Sequence, residues 1–181
     1  MTILSVYQDT VPGQPFKVLT HVEDIAATLA EVGVQLERLE AGPSIAAGTS
    51  TEEVIAAYRP QIDHLMQARG YSSVEVISWS SDQAQKAEPR TPTPEEHWHD
   101  GDEVRYFVAG RGLYSLHIGD RVYAVQCEKN DLISVPANTR KWFDPGEQPH
   151  LVAICLFSNP QAQGANTTGA DIAGRFPRLE D

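Results

Sequence analysis

His97-Trp98-His99-Asp100-Gly101-Asp102-Glu103-Val104-Arg105 places two imidazoles, a carboxylate and a guanidinium at odd-numbered positions. Successive side chains of a β-strand point to opposite faces, so this parity aims all four groups into one interior. Gly101, the odd position without a side chain, leaves room for close approach to the backbone. Two His and one carboxylate on one wall suit divalent iron, nickel or zinc. The same set forms the facial triad of non-heme iron oxygenases, which leaves positions open for substrate and dioxygen. Asp100-Gly101-Asp102 has the start of a calcium loop but none of its later ligands, and is set aside.

Downstream of this block the chain reads as short strands separated by turn residues. Val104 to Val108, Leu113 to Ile118, Arg121 to Gln126, Leu132 to Val135 and Leu151 to Phe157 are the strand runs. Gly110-Arg111-Gly112, Gly119-Asp120, Lys129-Asn130-Asp131 and Asp144-Pro145-Gly146 are the turns. Strands of this length and spacing predict an antiparallel sandwich or small barrel over residues 97–157. Residues 158–181 read as a loop-like tail that covers a barrel edge.

Upstream, residues 1–80 read as an α/β layer. Ile3 to Tyr7, Lys17 to Leu19, Val34 to Leu39 and Val74 to Trp79 have strand character. Val22 to Val32 carries Ile25, Ala26, Leu29 and Val32 on one helical stripe, closed by Gly33. Ser50-Thr51-Glu52-Glu53 is a capping box that opens a helix running to Arg69, kinked at Pro60 and closed by Gly70. Residues 81–96 are polar and proline-rich, a linker or a flap over a pocket mouth.

The 181 residues fit one domain, and the 41% apolar and 22% charged shares are those of a globular protein. A net charge of −11 argues against nucleic-acid or anionic-membrane partners, which select basic surfaces. No apolar run approaches the ~18 residues of a membrane span. The N-terminus has neither the basic region nor the long apolar region of a secretory signal. Cys127 and Cys155 are too few for a disulfide framework, so both thiols are read as free and the compartment as cytoplasmic.

His97, His99, Glu103 and Gly110 match the first cupin motif apart from its leading glycine, and Asp131, Pro136, Asn138 and Lys141 meet the second in part. Glu96 to Phe107, Leu116 to Asp120, Cys127 to Pro136, Trp142-Phe143-Asp144 and Phe176-Pro177-Arg178-Leu179 narrow the match. Together they resemble bacterial acireductone dioxygenases over the whole chain. The resemblance implies a mainly β fold with flanking helices, a cupin (double-stranded β-helix or jelly-roll) barrel with an N-terminal α/β elaboration. It implies a methionine-salvage enzyme that oxidises the enediolate 1,2-dihydroxy-3-keto-5-methylthiopentene with dioxygen. One Fe2+ or Ni2+ per chain is implied, held by three His and one Glu. Partners are then an acireductone-like small molecule and O2, and the chain is read as a monomer.

Carried over residue by residue, the family's metal ligands fall on His97, His99 and Glu103, and its substrate-binding, catalytic arginine on Arg105. A pocket phenylalanine falls on Phe143, and acidic positions supporting the ligands on Glu96 and Asp102. The departures cluster at the same site. The fourth ligand, a His in the family, is Lys141 here, and a second active-site arginine falls on Cys155. An aromatic lining the pocket falls near Thr93, and Asn138 and Arg140 also differ from common members. A lysine coordinates a metal only as the neutral amine, against an ordinary pKa of ~10.4, and burial beside a dication lowers that value, which leaves Lys141 a candidate fourth ligand. Charged, Lys141 would repel a metal, swing outward, or pair with Glu103 or with an anionic substrate. Cys155 is a further pocket candidate, either a reactive thiol or a small apolar group. His117 and His150 read as ordinary core or surface histidines.

Three functions follow. The first is the dioxygenase reaction. The second is a diverged cupin oxygenase or isomerase using a two-His, one-Glu site on another enolisable substrate. The third is a non-catalytic cupin binding a small anion through Lys141 and Arg105.

Overall fold

One strand, β6 (Glu103–Ile118), runs through the middle of the fold and belongs to two sheets. The fold is described from a computed structural model over residues 1–80, 94–159 and 164–180. The first part of β6 pairs with β8 (Asp131–Val135) and β10 (Leu151–Phe157). Its second part pairs with β7 (Arg121–Glu128) and β9 (Arg140–Asp144). β3 (Gln35–Arg38) extends the first sheet beyond β8, and β4 (Ser73–Trp79) extends it beyond β10. The second sheet runs β11 (Asn166–Thr167), β5 (His97–Trp98), β9, β6, β7, β1 (Ile3–Gln8), β2 (Lys17–Leu19). The two sheets form the mainly β barrel that the strand spacing predicts and the family resemblance implies, with helices at its side.

The expected turn at Gly110-Arg111-Gly112 is not a turn, because β6 continues through it. Gly110 takes φ +70°, and a Cβ there would lie 1.9 Å from the His150 carbonyl oxygen. A register shift opposite Val152 and Ala153 marks a bulge just before it. The bulge reverses which parity faces inward. Phe107 lies in the inter-sheet core on the near side, and Tyr114 and Leu116 lie in it on the far side.

That core joins Leu4, Val6, Phe107, Tyr114, Val125 and Ile133 with Ile25 and Leu29 of α1 (Val22–Ala30). A second cluster fills the outer face of the first sheet. There Val54 of α2 (Thr51–Ala57) and Ile62 and Leu65 of α3 (Arg59–Arg69) cover Val104, Tyr106, Leu132 and Ile154. Covered on both faces, β10 is buried along its whole length and reads as a continuous apolar run.

The single kinked helix expected over residues 50–69 is two helices, broken at Tyr58. Pro60 sits in the first turn of α3, where a missing N–H costs no intrahelical bond. Ser50 caps α2 as the capping box requires, accepting the Glu53 N–H at 3.3 Å. The α1 pattern also ends earlier than expected, its last residues turning into Gly33 at φ +81°. β9 and β11 carry no legible strand signal, since β9 buries a lysine and β11 has two residues. Of the linker or flap expected over residues 81–96, residues 81–93 lie outside the described residues, Thr93 among them. Among the described residues no helix is long and apolar enough to cross a membrane.

The C-terminal segment docks on the second sheet through a 3-10 turn (Ile172–Arg175) and Phe176, whose ring lies 5.3 Å from Tyr7 and 5.7 Å from Trp142. Asp144 clasps it, accepting from Arg178 Nε at 3.1 Å and Nη2 at 2.9 Å and from the Leu179 N–H at 2.8 Å. Burial pushes the Asp144 carboxyl up, but Arg178 and the Leu179 and Gly146 amides outweigh it and hold the value below 3.8. The clasp is therefore fully formed above about pH 3.8 and is lost as the pH falls through the lower folded value. Asp144→Ala is expected to cost about 1–3 kcal/mol. Hydrogen exchange at the Leu179 amide should accelerate in the variant at neutral pH, and unchanged protection would refute the clasp.

Candidate active site

The odd-numbered series His97 to Arg105 does not lie on one continuous strand. β5 ends at Trp98, the chain bends at Asp100-Gly101, and β6 begins at Glu103. The bend nevertheless brings the groups together. The His97 and His99 rings sit edge to face with centroids 5.3 Å apart, and His99 Nε2 lies 3.6 Å from Glu103 Oε2.

Both imidazoles are oriented by backbone carbonyls. His97 Nδ1–H donates to the Glu95 carbonyl at 2.9 Å, and His99 Nδ1–H to the Gly164 carbonyl at 3.3 Å. In a neutral ring, a carbonyl on Nδ1–H puts the lone pair on Nε2, the arrangement a metal ligand needs. Burial depresses the pKa of His97, and nearby Lys141 and Arg105 push the same way. The acidic positions Glu96 and Asp102 have hydrogen-bond partners of their own. Glu96 is buried and accepts from Thr168 Oγ1 at 2.8 Å, with His117 Nδ1 2.6 Å from its other oxygen. His117 itself lies between Glu96 and Asp9. Asp102 is exposed and accepts the Ala137 N–H at 2.8 Å, tying two loops together. His150 is exposed.

Glu103 is the hub. It is fully buried, and its Oε1 accepts from Arg105 Nη2 at 2.9 Å. Its Oε2 accepts from the Tyr114 hydroxyl at 3.1 Å and faces Lys141 Nζ at 2.9 Å. Burial alone would raise its pKa, but Arg105 and Lys141 together hold it well below the usual carboxylate range. Of the alternatives open for Lys141, the structure shows the pairing with Glu103. Lys141 lies opposite His97 in the β5–β9 pairing and is wholly buried. Burial lowers its pKa while Glu103 opposes the shift, and beyond this ion pair Nζ has no partner.

Arg105 lies between two rings, its Cζ 4.6 Å from the Tyr114 centroid and 4.5 Å from that of Phe143. Its Nε and Nη1 are buried without a hydrogen-bond partner. Cys155 stands opposite Arg105 in the β6–β10 register. Burial pushes its thiol up to about 12, against the pull of Arg105, so it is a neutral SH at physiological pH. Tyr114 is the residue that the sequence reading misses. Even-numbered, it reads as outward until the bulge is known, and Gly110-x-Gly112 is the signal that could have located it.

Whether these residues fit a metal turns on Glu103. Two imidazoles oriented by backbone carbonyls are present, but both carboxylate oxygens are engaged by cationic or hydroxyl donors. Among the described residues no three or more His, Cys, Asp or Glu side chains are grouped so as to hold a metal ion. An ammonium has no lone pair to give and repels a dication. With Lys141 against Glu103, the residues do not fit a four-ligand metal centre.

The model described as the ARD/ARD' family matches residues 4–165. Over 181 residues, the whole of both chains, the sequence is 66% identical to an acireductone dioxygenase from Stutzerimonas stutzeri (strain A1501). It is also 66% identical, over the same span, to one from Pseudomonas syringae pv. syringae (strain B728a). Among solved structures it is similar to acireductone dioxygenase from Bacillus anthracis with a cadmium ion in its active centre. That likeness has a TM-score of 0.75 at 26% identity, covering 92% of this chain and 98% of the other.

Proposed function

We propose, since the chain belongs to the ARD/ARD' family of acireductone dioxygenases, that it oxidises a small enediolate with dioxygen. The substrate is 1,2-dihydroxy-3-keto-5-methylthiopentene or an analogue, the process methionine salvage, and the compartment the cytoplasm. The single observation that carries the reading is Arg105, a buried guanidinium with two free donors held between Tyr114 and Phe143. Such a group is suited to a planar anion, taking charge-assisted hydrogen bonds through Nε and Nη1 while Nη2 stays on Glu103. Glu103 fixes the guanidinium, the two rings exclude water from its faces, and Lys141 adds a second positive charge. Phe143 is the substrate-facing wall, and Cys155 is a neutral, small neighbour where the family has a second arginine. Were Lys141 withdrawn from Glu103, His97, His99 and Glu103 would be the donors for one iron or nickel ion per chain, which would supply Lewis acidity.

The ion pair of Lys141 with Glu103 also favours a second reading, in which the site binds an enediolate-like anion without turnover. Anaerobic mixing with an acireductone analogue after incubation with Fe2+ or Ni2+, followed by admission of air, tests both. Loss of enediolate absorbance with stoichiometric oxygen uptake is the expected result. Binding without oxygen uptake selects the second reading, and neither binding nor uptake overturns both.

A further inference from the structure

Lys141 reaches the one carboxylate that a metal at this site requires. Its Nζ lies 2.9 Å from Glu103 Oε2, the same oxygen that lies 3.6 Å from His99 Nε2. The residue is 0% exposed, so the ammonium is held in place by packing as well as by charge. We infer that Lys141 is an internal competitor for Glu103, not a ligand: it supplies the folded site's positive charge, and a divalent ion enters only by displacing it.

Three features support this. Both imidazoles are already held at Nδ1 by backbone carbonyls, so the carboxylate, whose two oxygens are both engaged, is what limits a metal here. Glu103 is shared with Arg105, leaving one negative charge facing two cations before any ion arrives. A dication added beside both would stand against like charge on two sides, in a buried setting where screening by solvent is weak. Lys141 is also directly opposite His97 across the β5–β9 pair, so moving it aside requires a rotamer change inside a packed sheet.

The inference rests on reading this pocket as the family's active site, but its test needs no enediolate. Calorimetric titration of the full-length protein with Ni2+, and metal analysis after dialysis, should order three proteins. Lys141→Met removes the charge without adding a strong ligand, and should bind Ni2+ about tenfold or more tighter than wild type. Lys141→His supplies a third imidazole as the fourth ligand and should bind roughly 10–100-fold tighter again. If lysine were itself a ligand, Lys141→Met would bind more weakly than wild type, and that order overturns the inference. Lys141→Gln, which keeps a polar contact to Glu103 while removing the charge, replaces the Met variant should the latter not fold. Equal Ni2+ affinity in wild type and the neutral variants also overturns it. Tight Ni2+ binding by wild type would overturn the competitor and leave the dioxygenase reading standing. Absent oxygen uptake with the expected affinity order would do the reverse.

Discussion

Replacing Glu103 with glutamine is expected to destabilise the protein by about 3–5 kcal/mol, the cost of leaving buried cations without their counter-ion. Glu103 is 0% exposed and answers both Arg105 and Lys141, which are themselves buried. Glutamine keeps the volume and one oxygen for the Tyr114 hydroxyl, so the loss reports charge and not packing. Urea unfolding at neutral pH measures it. Lys141→Met should be milder, because it leaves one carboxylate facing one guanidinium. Combining the two substitutions should therefore cost less than the sum of the two alone, a non-additivity expected of residues in one charge network. An additive pair, or a Glu103→Gln cost below about 1 kcal/mol, would mean that these cations are stabilised by something other than Glu103.

Much of this arrangement is legible in the chain, for identifiable reasons. Alternation is a local property, so the parity of His97, His99, Glu103 and Arg105 announces a shared interior even though β5 and β6 are separate strands. The helices are legible through their caps, Ser50 and Gly70. What is not legible is long-range. The strand character of Arg140 to Asp144 is hidden because its second residue, a lysine, breaks the apolar alternation, and the partner Glu103 offsets the charge of that lysine. The carbonyls that orient the imidazoles, those of Glu95 and Gly164, carry no side-chain signal at all. Glu96 and Asp102 have the right chemistry to support the ligands, yet the fold gives them His117 and the Ala137 amide instead. Tyr114 escapes because one bulge shifts parity, and a bulge depends on what β10 does opposite it.

That bulge locates the second large effect. Gly110→Ala is expected to cost about 3 kcal/mol or more, combining left-handed strain with overpacking. The added Cβ would meet the His150 carbonyl oxygen at 1.9 Å and the Leu151 Cα at 2.8 Å, and backbone atoms paired across β10 cannot step aside cheaply. Gly119→Ala is the control. It has a similar positive φ of +63° but nothing within 4 Å of the new Cβ, so it carries the strain without the clash. The difference between the two variants in urea unfolding isolates the clash, and equal costs would show that β10 yields. Gly112→Ala differs again, since its Cβ would lie 2.3 Å from the Phe143 ring, a side chain that can shift. Should β6 escape the Gly110→Ala clash by losing its bulge, the strand beyond it would slip by one residue. Tyr114 would then face outward, away from Glu103, and the guanidinium of Arg105 would lose one of its two rings. The variant should therefore lose the site's affinity for an enediolate analogue even where it still folds, which ties the bulge to the geometry of Arg105.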